Sequence, residues 1–113
     1  YFGAMMVETG EADALVSGLT RNYPNVIKPA LHVIGKAKGV NKVAGMYILQ
    51  TKQGPMFFAD TTVNINPSAE EIVEITLLMA EAVGRLRIVP RIALLSYSNF
   101  GSSKGDDAEK MAL

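Results

Sequence analysis

Apolar positions recur along this chain with two periods. The helical one is clearest in "PSAEEIVEITLLMAEAVGRLRI", where Ile72, Ile75, Met79, Ala82, Val83 and Leu86 return every three or four residues. Glu74, Glu81 and Arg85 take the opposite face, so the pattern predicts an amphipathic helix over residues 68–86. Its start is marked by Pro67 and by Ser68 with Glu71 three residues on, the spacing of a capping box. Glu81 and Arg85 add an i,i+4 pair. A second helical stripe, Val26, Ile27, Ala30, Leu31 and Ile34, predicts a helix over about 25–34 with Asn25 as N-cap. Pro29 lacks an N–H, so that helix is expected to start or bend there. The opening "YFGAMMV" reads as the last two turns of a helix, and Asp106 or Asp107 as the cap of a short one near the end.

The other pattern is short and β-prone. Strands are expected at Ala12–Ser17, Val43–Gln50, Pro55–Ala59 and Arg91–Ser96, and Lys52-Gln53-Gly54 between the middle two is a hairpin signal. "GKAKGVNK" and "NFGSSKGDD" read as surface loops. The alternation of elements predicts an α/β fold, a mixed sheet flanked by helices. In such sheets ligands sit beyond the carboxyl ends of parallel strands, here residues 17–22 and 96–103.

Composition narrows the choices of function. The chain has 113 residues, 49% apolar and 19% charged, as in an ordinary folded domain. A net charge of zero gives no broad footprint for nucleic acid. No apolar run approaches the ~18 residues of a membrane span. The absence of cysteine excludes disulfides and thiolate chemistry, and the single His32 excludes a multi-histidine zinc site within this sequence; no Ser–His–acid arrangement can be argued from it. His32 lies beside the apolar face and reads as a packing residue. No secretory signal is visible, so the expected setting is cytoplasmic. The ends look cut, which predicts a piece of a longer protein. The apolar face of the opening helix is expected to drive self-association.

Candidate chemistry gathers at the two strand ends. Ser17, Gly18, Thr20, Arg21, Asn22 and Lys28 surround a strand-to-helix turn, where positive potential suits a phosphate or the phosphate-bearing tail of a coenzyme. The ordinary reading of the same residues is a solvated helix start. Ser96, Ser98 and Asn99 place hydroxyls and an amide at the other strand end, before the glycines of residues 101–105, and turn chemistry explains them about as well. Asp60, Thr61 and Thr62 read as a capped turn. "GKAKG" and "GSSKG" lack the spacing of a phosphate loop.

Four segments, "ADALVSG" with "KPALHVIG", "FFADTTVNINPSAEEIVEI", "PRIALLSYS" and the following "FGS", resemble the phosphate acetyl/butyryltransferase (phosphotransacetylase) family across nearly the whole chain. The resemblance implies a phosphotransacetylase-like domain of the isocitrate/isopropylmalate dehydrogenase-like fold, of which residues 1–113 are a fragment. The enzymes of the family usually carry an arginine before "PAL", where this chain has Lys28, and a threonine after "LSYS", where it has Asn99. An ammonium keeps the charge but not the two-toothed grip of a guanidinium on phosphate. "GLTRNYP" and "SYSNFGS" are instead similar to the C-terminal transacetylase-like domain of large bacterial malic enzymes. That resemblance implies a module that binds acetyl-CoA as a regulator and supports homo-oligomerisation without transacetylating. It places NADP and a divalent metal, Mg or Mn, in an N-terminal malic enzyme region and none in this fragment. It also implies that further substrate-contacting arginine and serine residues lie beyond residue 113. The alternative is a fragment of an active phosphate acetyltransferase, which moves acetyl between CoA and phosphate.

Overall fold

A computed structural model describes residues 1–99, 102 and 105–113. Phe100, Gly101, Ser103 and Lys104, with them most of the "FGS" segment and of the glycine-rich loop, lie outside the described residues. The chain divides into two compact units, Tyr1–Val40 and Asn41–Leu113.

The first unit holds two helices. α1, Phe2–Glu8, follows the opening apolar run and buries Ala4. It packs against α2, Tyr23–Val33. α2 begins two residues earlier than the stripe predicts, because Asn22 and not Asn25 is the N-cap: its side chain accepts the Asn25 N–H at 3.4 Å. Pro24 falls in the first turn, where a missing N–H costs little. Pro29 lies inside the helix, which runs through it without the bond that an N–H there would send back one turn. Residues 12–17, expected as a strand, join no ladder among the described residues. Leu15 instead lies along α1: a Cβ added at Gly3 would come within 2.8 Å of its Cδ1. Leu15 thus finds apolar contact on a helix, and its backbone has no neighbour to pair with.

The second unit is built on a hairpin and one long helix. β1, Tyr47–Thr51, pairs antiparallel with β2, Gly54–Phe58, around the two-residue turn Lys52-Gln53. These two strands form a two-stranded sheet, not the mixed sheet expected. Residues 91–96, though apolar as anticipated, carry no ladder hydrogen bonds among the described residues, and Ile92, Leu94 and Leu95 are exposed. α3, Ala69–Arg85, matches the strongest periodicity in the chain. Both halves of its capping box form: Ser68 Oγ accepts the Glu71 N–H at 3.3 Å, and Glu71 Oε2 accepts the Ser68 N–H at 3.0 Å. Ile72, Ile75 and Val83 from its apolar stripe are buried, whereas Leu86 at the C-cap is exposed. α4, Asp106–Lys110, starts from Gly105 without a side-chain cap, so Asp106 and Asp107 belong to its first turn. No helix among the described residues is long and apolar enough to cross a membrane.

Burial is sparse throughout. Ala4, Ile72, Ile75 and Val83 are the buried apolar residues among those described. The chain exposes 9211 Å². Even two separate compact bodies of these lengths would expose only about 7,000 Å² together on the scaling for folded monomers. Much apolar surface is therefore left in water.

Candidate functional site

The turn between residue 17 and α2 departs from ordinary backbone geometry. Gly18 has φ 143° and Leu19 has φ 58°, the left-handed region that a branched leucine avoids. The Thr20 N–H donates to the Gly18 carbonyl at 2.7 Å, closing a three-residue γ-turn with Leu19 at its centre. Leu19 is itself fully exposed, so its side chain gains no packing from this conformation. Strain of this kind is worth about 1–3 kcal/mol and concentrates at ligand sites and switches.

The expected ligand residues of this turn have distinct positions. Ser17, Thr20, Arg21 and Asn22 are exposed and Gly18 half-buried; Lys28 is exposed on α2. The helix N-terminus itself supplies few donors, since Pro24 has no N–H and the Asn25 N–H is taken by Asn22. Any anion here is held mainly by side chains. Among the described residues, neither Arg21 nor Lys28 forms an ion pair. The sequence explains why: no aspartate or glutamate stands between Asp13 and Asp60, a stretch that contains Arg21, Lys28, Lys36, Lys38, Lys42 and Lys52. Zero net charge over the whole chain conceals this segregation. His32, expected to pack, is exposed; its Nδ1 lies 3.3 Å from the Tyr1 hydroxyl, with the rings tilted at 47°.

Ser96, Ser98 and Asn99 belong to the second unit. Ser96 Oγ accepts the Ser98 N–H at 3.2 Å, a hydroxyl turn closed locally. Ser96 and Tyr97 line a cleft with Asn66 and Lys110. Lys110 Nζ donates to Asn66 Oδ1 at 2.7 Å and lies 3.3 Å from Asp107 Oδ1. With Asp106, Asp107 and Glu109 on the same short helix, this segment has little positive potential of its own.

The most densely bonded group in the second unit is Asp60. Its Oδ1 accepts the N–H groups of Gly45 at 2.8 Å, Thr62 at 3.2 Å and Val63 at 3.3 Å. Oδ2 accepts the Asn64 N–H at 2.6 Å and Asn64 Nδ2 at 2.5 Å. Burial alone would raise its pKa, but the bonds from Gly45, Asn64 and Thr62 outweigh it and lower the carboxyl below its ordinary value. Asn64 Nδ2 also reaches the Val43 carbonyl at 2.9 Å. A Cβ on Gly45 would meet Thr62 Oγ1 at 2.6 Å and Thr61 Oγ1 at 2.9 Å, so the turn and residues 43–45 approach as closely as glycine allows. Asp60 therefore organises a turn, as expected. An aspartate before Thr-Thr with an asparagine four residues on is the sequence signal. Nearby, Lys42 pairs with Glu71 at 2.6 Å, and Glu74 accepts the N–H groups of Asn41 and Lys42 at 2.5 and 3.0 Å. Periodicity placed Glu74 on the outer face of α3 but gave no hint of this docking role. Among the described residues no cluster of His, Asp or Glu has the makings of a metal site.

Residues 1–113 match the family model for phosphate acetyl/butaryl transferase from end to end. The chain belongs to this family. Relatives carry two kinds of name. An NADP-dependent malic enzyme of Escherichia coli (strain K12) is 47% identical over 109 residues, covering 96% of this chain and 14% of that protein. A phosphate acetyltransferase of Bacillus subtilis (strain 168) is 39% identical over 112 residues, covering 99% of this chain and 35% of that protein. Among solved structures, the EutD phosphotransacetylase from Staphylococcus aureus superposes with a TM-score of 0.82 at 32% identity, over 98% of this chain and 34% of that one. The chain thus spans about a third of these two transferases, and a seventh of this malic enzyme. The likeness to a phosphotransacetylase is shown; the two-stranded sheet adds nothing for a dehydrogenase-like fold.

Proposed function

We propose that this phosphotransacetylase-family segment is a regulatory and oligomerisation module of an NADP-dependent malic enzyme, binding acetyl-CoA or another phosphate-bearing ligand without transferring acetyl. The observation that carries the reading is that two exposed cations, Arg21 next to a strained turn and Lys28 on the helix that follows it, stand in a stretch free of carboxylates. A second support is that an NADP-dependent malic enzyme of Escherichia coli (strain K12) and an NAD-dependent malic enzyme of Rhizobium meliloti (strain 1021) are 47% and 42% identical over this region. A third is chemical. Lysine at position 28 retains charge for binding, but it lacks the planar fork that would orient a phosphate for attack on a thioester. The exchange favours holding a ligand over catalysing its reaction.

In this reading NADP and the divalent metal act elsewhere in the parent protein, in the setting expected to be cytoplasmic, and catalysis of malate decarboxylation uses none of these residues. The test is malate oxidation by the polypeptide that carries this chain, measured against an acetyl-CoA titration, beside formation of acetyl phosphate from acetyl-CoA and phosphate. Inhibition by acetyl-CoA with no acetyl phosphate formed is the expected result. Acetyl phosphate formation without malate oxidation would establish instead the second reading, a segment of an active phosphate acetyltransferase, which the 39% identity to such an enzyme favours.

A further inference from the structure

The chain enters its second unit by a stretch that no regular element holds. Residues 41–46 precede β1 and join no helix or ladder among the described residues, yet Lys42 to Met46 are half-buried. Besides a backbone bond from the Thr61 N–H to the Gly45 carbonyl at 3.3 Å, side chains fix them in place. From α3, Glu74 Oε1 accepts the N–H groups of Asn41 and Lys42, and Glu71 Oε1 pairs with Lys42 Nζ. From the turn at 60–64, Asp60 Oδ1 accepts the Gly45 N–H, and Asn64 Nδ2 donates to the Val43 carbonyl. Three carboxylates on two separate elements thus close on one short run of backbone. Glu71 serves α3 at the same time, since its Oε2 accepts the Ser68 N–H of the capping box. These anchors are too close together to act alone. Ala44 is the one residue between Asn41 and Gly45 to which none of them bonds, so a rotation that frees one N–H drags its neighbours.

We propose that residues 41–45 are a strap that leaves the second unit as one piece, an electrostatic latch that sets how much free chain trails the first unit. Closed, the irregular segment after α2 is residues 35–40, about 20 Å at full stretch; open, it is residues 35–46, about 40 Å. The unit so tethered carries Arg21 and Lys28, and opening widens the volume that it can search. Nothing in this depends on whether a ligand binds there. The strap belongs to the less stable part of the fold, because its bonds are charge-assisted and half-open to solvent. The side chains of Lys42 and Glu71 are 34% and 33% exposed, so salt weakens their pairing.

Glu74→Ala removes the acceptor of two N–H groups and keeps a strong helix former on α3. Amide exchange, resolved by residue in the polypeptide that carries this chain, should then quicken about tenfold at Asn41 and Lys42. It should quicken by the same factor at Gly45, whose own acceptor is untouched. Glu74→Gln, which retains one acceptor oxygen, should give a smaller rise shared by the same three amides. Ile75 in α3 should not change in either variant, which separates opening of the strap from unfolding of the helix. In the wild type, trypsin should cut after Lys38, ahead of the strap, about tenfold faster than after Lys42, within it, and Glu74→Ala should remove most of that difference. Faster exchange at Asn41 and Lys42 with Gly45 unchanged, an equal rise at Ile75, no rise at any of these amides, or equal cutting after Lys38 and Lys42 in the wild type would each overturn the proposal.

Discussion

Replacing Asp60 by asparagine removes one carboxylate oxygen and leaves the size of the side chain unchanged. Oδ1 can still accept from Gly45, Thr62 and Val63, but an amide NH₂ now faces the two Asn64 donors that Oδ2 held at 2.6 and 2.5 Å. Two charge-assisted bonds are lost, each worth about 1.5–3 kcal/mol in isolation. They share one donor residue and the site is partly open to water, so the two losses do not add, and the expected cost is about 2–3 kcal/mol. At 1.4 kcal/mol per factor of ten, amide hydrogen exchange at Asn64 should accelerate about 30- to 150-fold. Exchange at Gly45 should accelerate less, because its acceptor survives, while Ile75 in the middle of α3 should change little. Nuclear magnetic resonance exchange rates measured residue by residue decide the matter. Acceleration below threefold at Asn64, or an equal change at Ile75, would refute the claim that this carboxylate organises the turn locally.

The same carboxyl sets a pH dependence. Its folded pKa lies below the unfolded value of about 4, so its stabilisation is fully present above pH 4 and is lost as pH falls through the lower folded value. Protection of the Asn64 amide should therefore hold from neutrality to about pH 4 and decline only below it; a decline beginning above pH 5 would contradict this. Ser68→Ala should cost about 1 kcal/mol and fray the first turn of α3, seen as faster exchange at Glu71, because the side-chain acceptor of that N–H is gone. Leu19→Asn should stabilise the γ-turn by about 0.5–1 kcal/mol, since asparagine tolerates positive φ and Leu19 packs on nothing, with slower exchange at Thr20 as the readout.

Local signals in the sequence carried α3 and its capping box, the hairpin and its turn, and the position of α1, because each depends on neighbours a few residues apart. Segments 12–17 and 91–96 read as strands because they are apolar runs of strand length, yet a strand exists only when a second backbone supplies its ladder, and pattern cannot show that. α2 started early because Asn22 and Asn25 are equally good caps, and Pro24 favours the first of them. At the candidate site, Arg21 and Lys28 were legible as charges. The left-handed Leu19 was not, since nothing in a leucine announces positive φ. The acid-free stretch from Ala14 to Ala59 is visible in the sequence once charge is read by segment, and a whole-chain sum hides it.

The central claim is that Arg21 and Lys28 bind the phosphates of a ligand at the turn before α2. Calorimetric titration of acetyl-CoA into the chain, with wild type beside Arg21→Ala and Lys28→Ala, tests it most directly. Each substitution removes a charge-assisted contact worth about 1–3 kcal/mol, so each variant should bind about 5- to 150-fold more weakly, and the wild-type affinity should fall as salt shortens the screening length. Binding of equal strength in all three proteins would contradict the account and leave the charges at this turn as a solvated helix start.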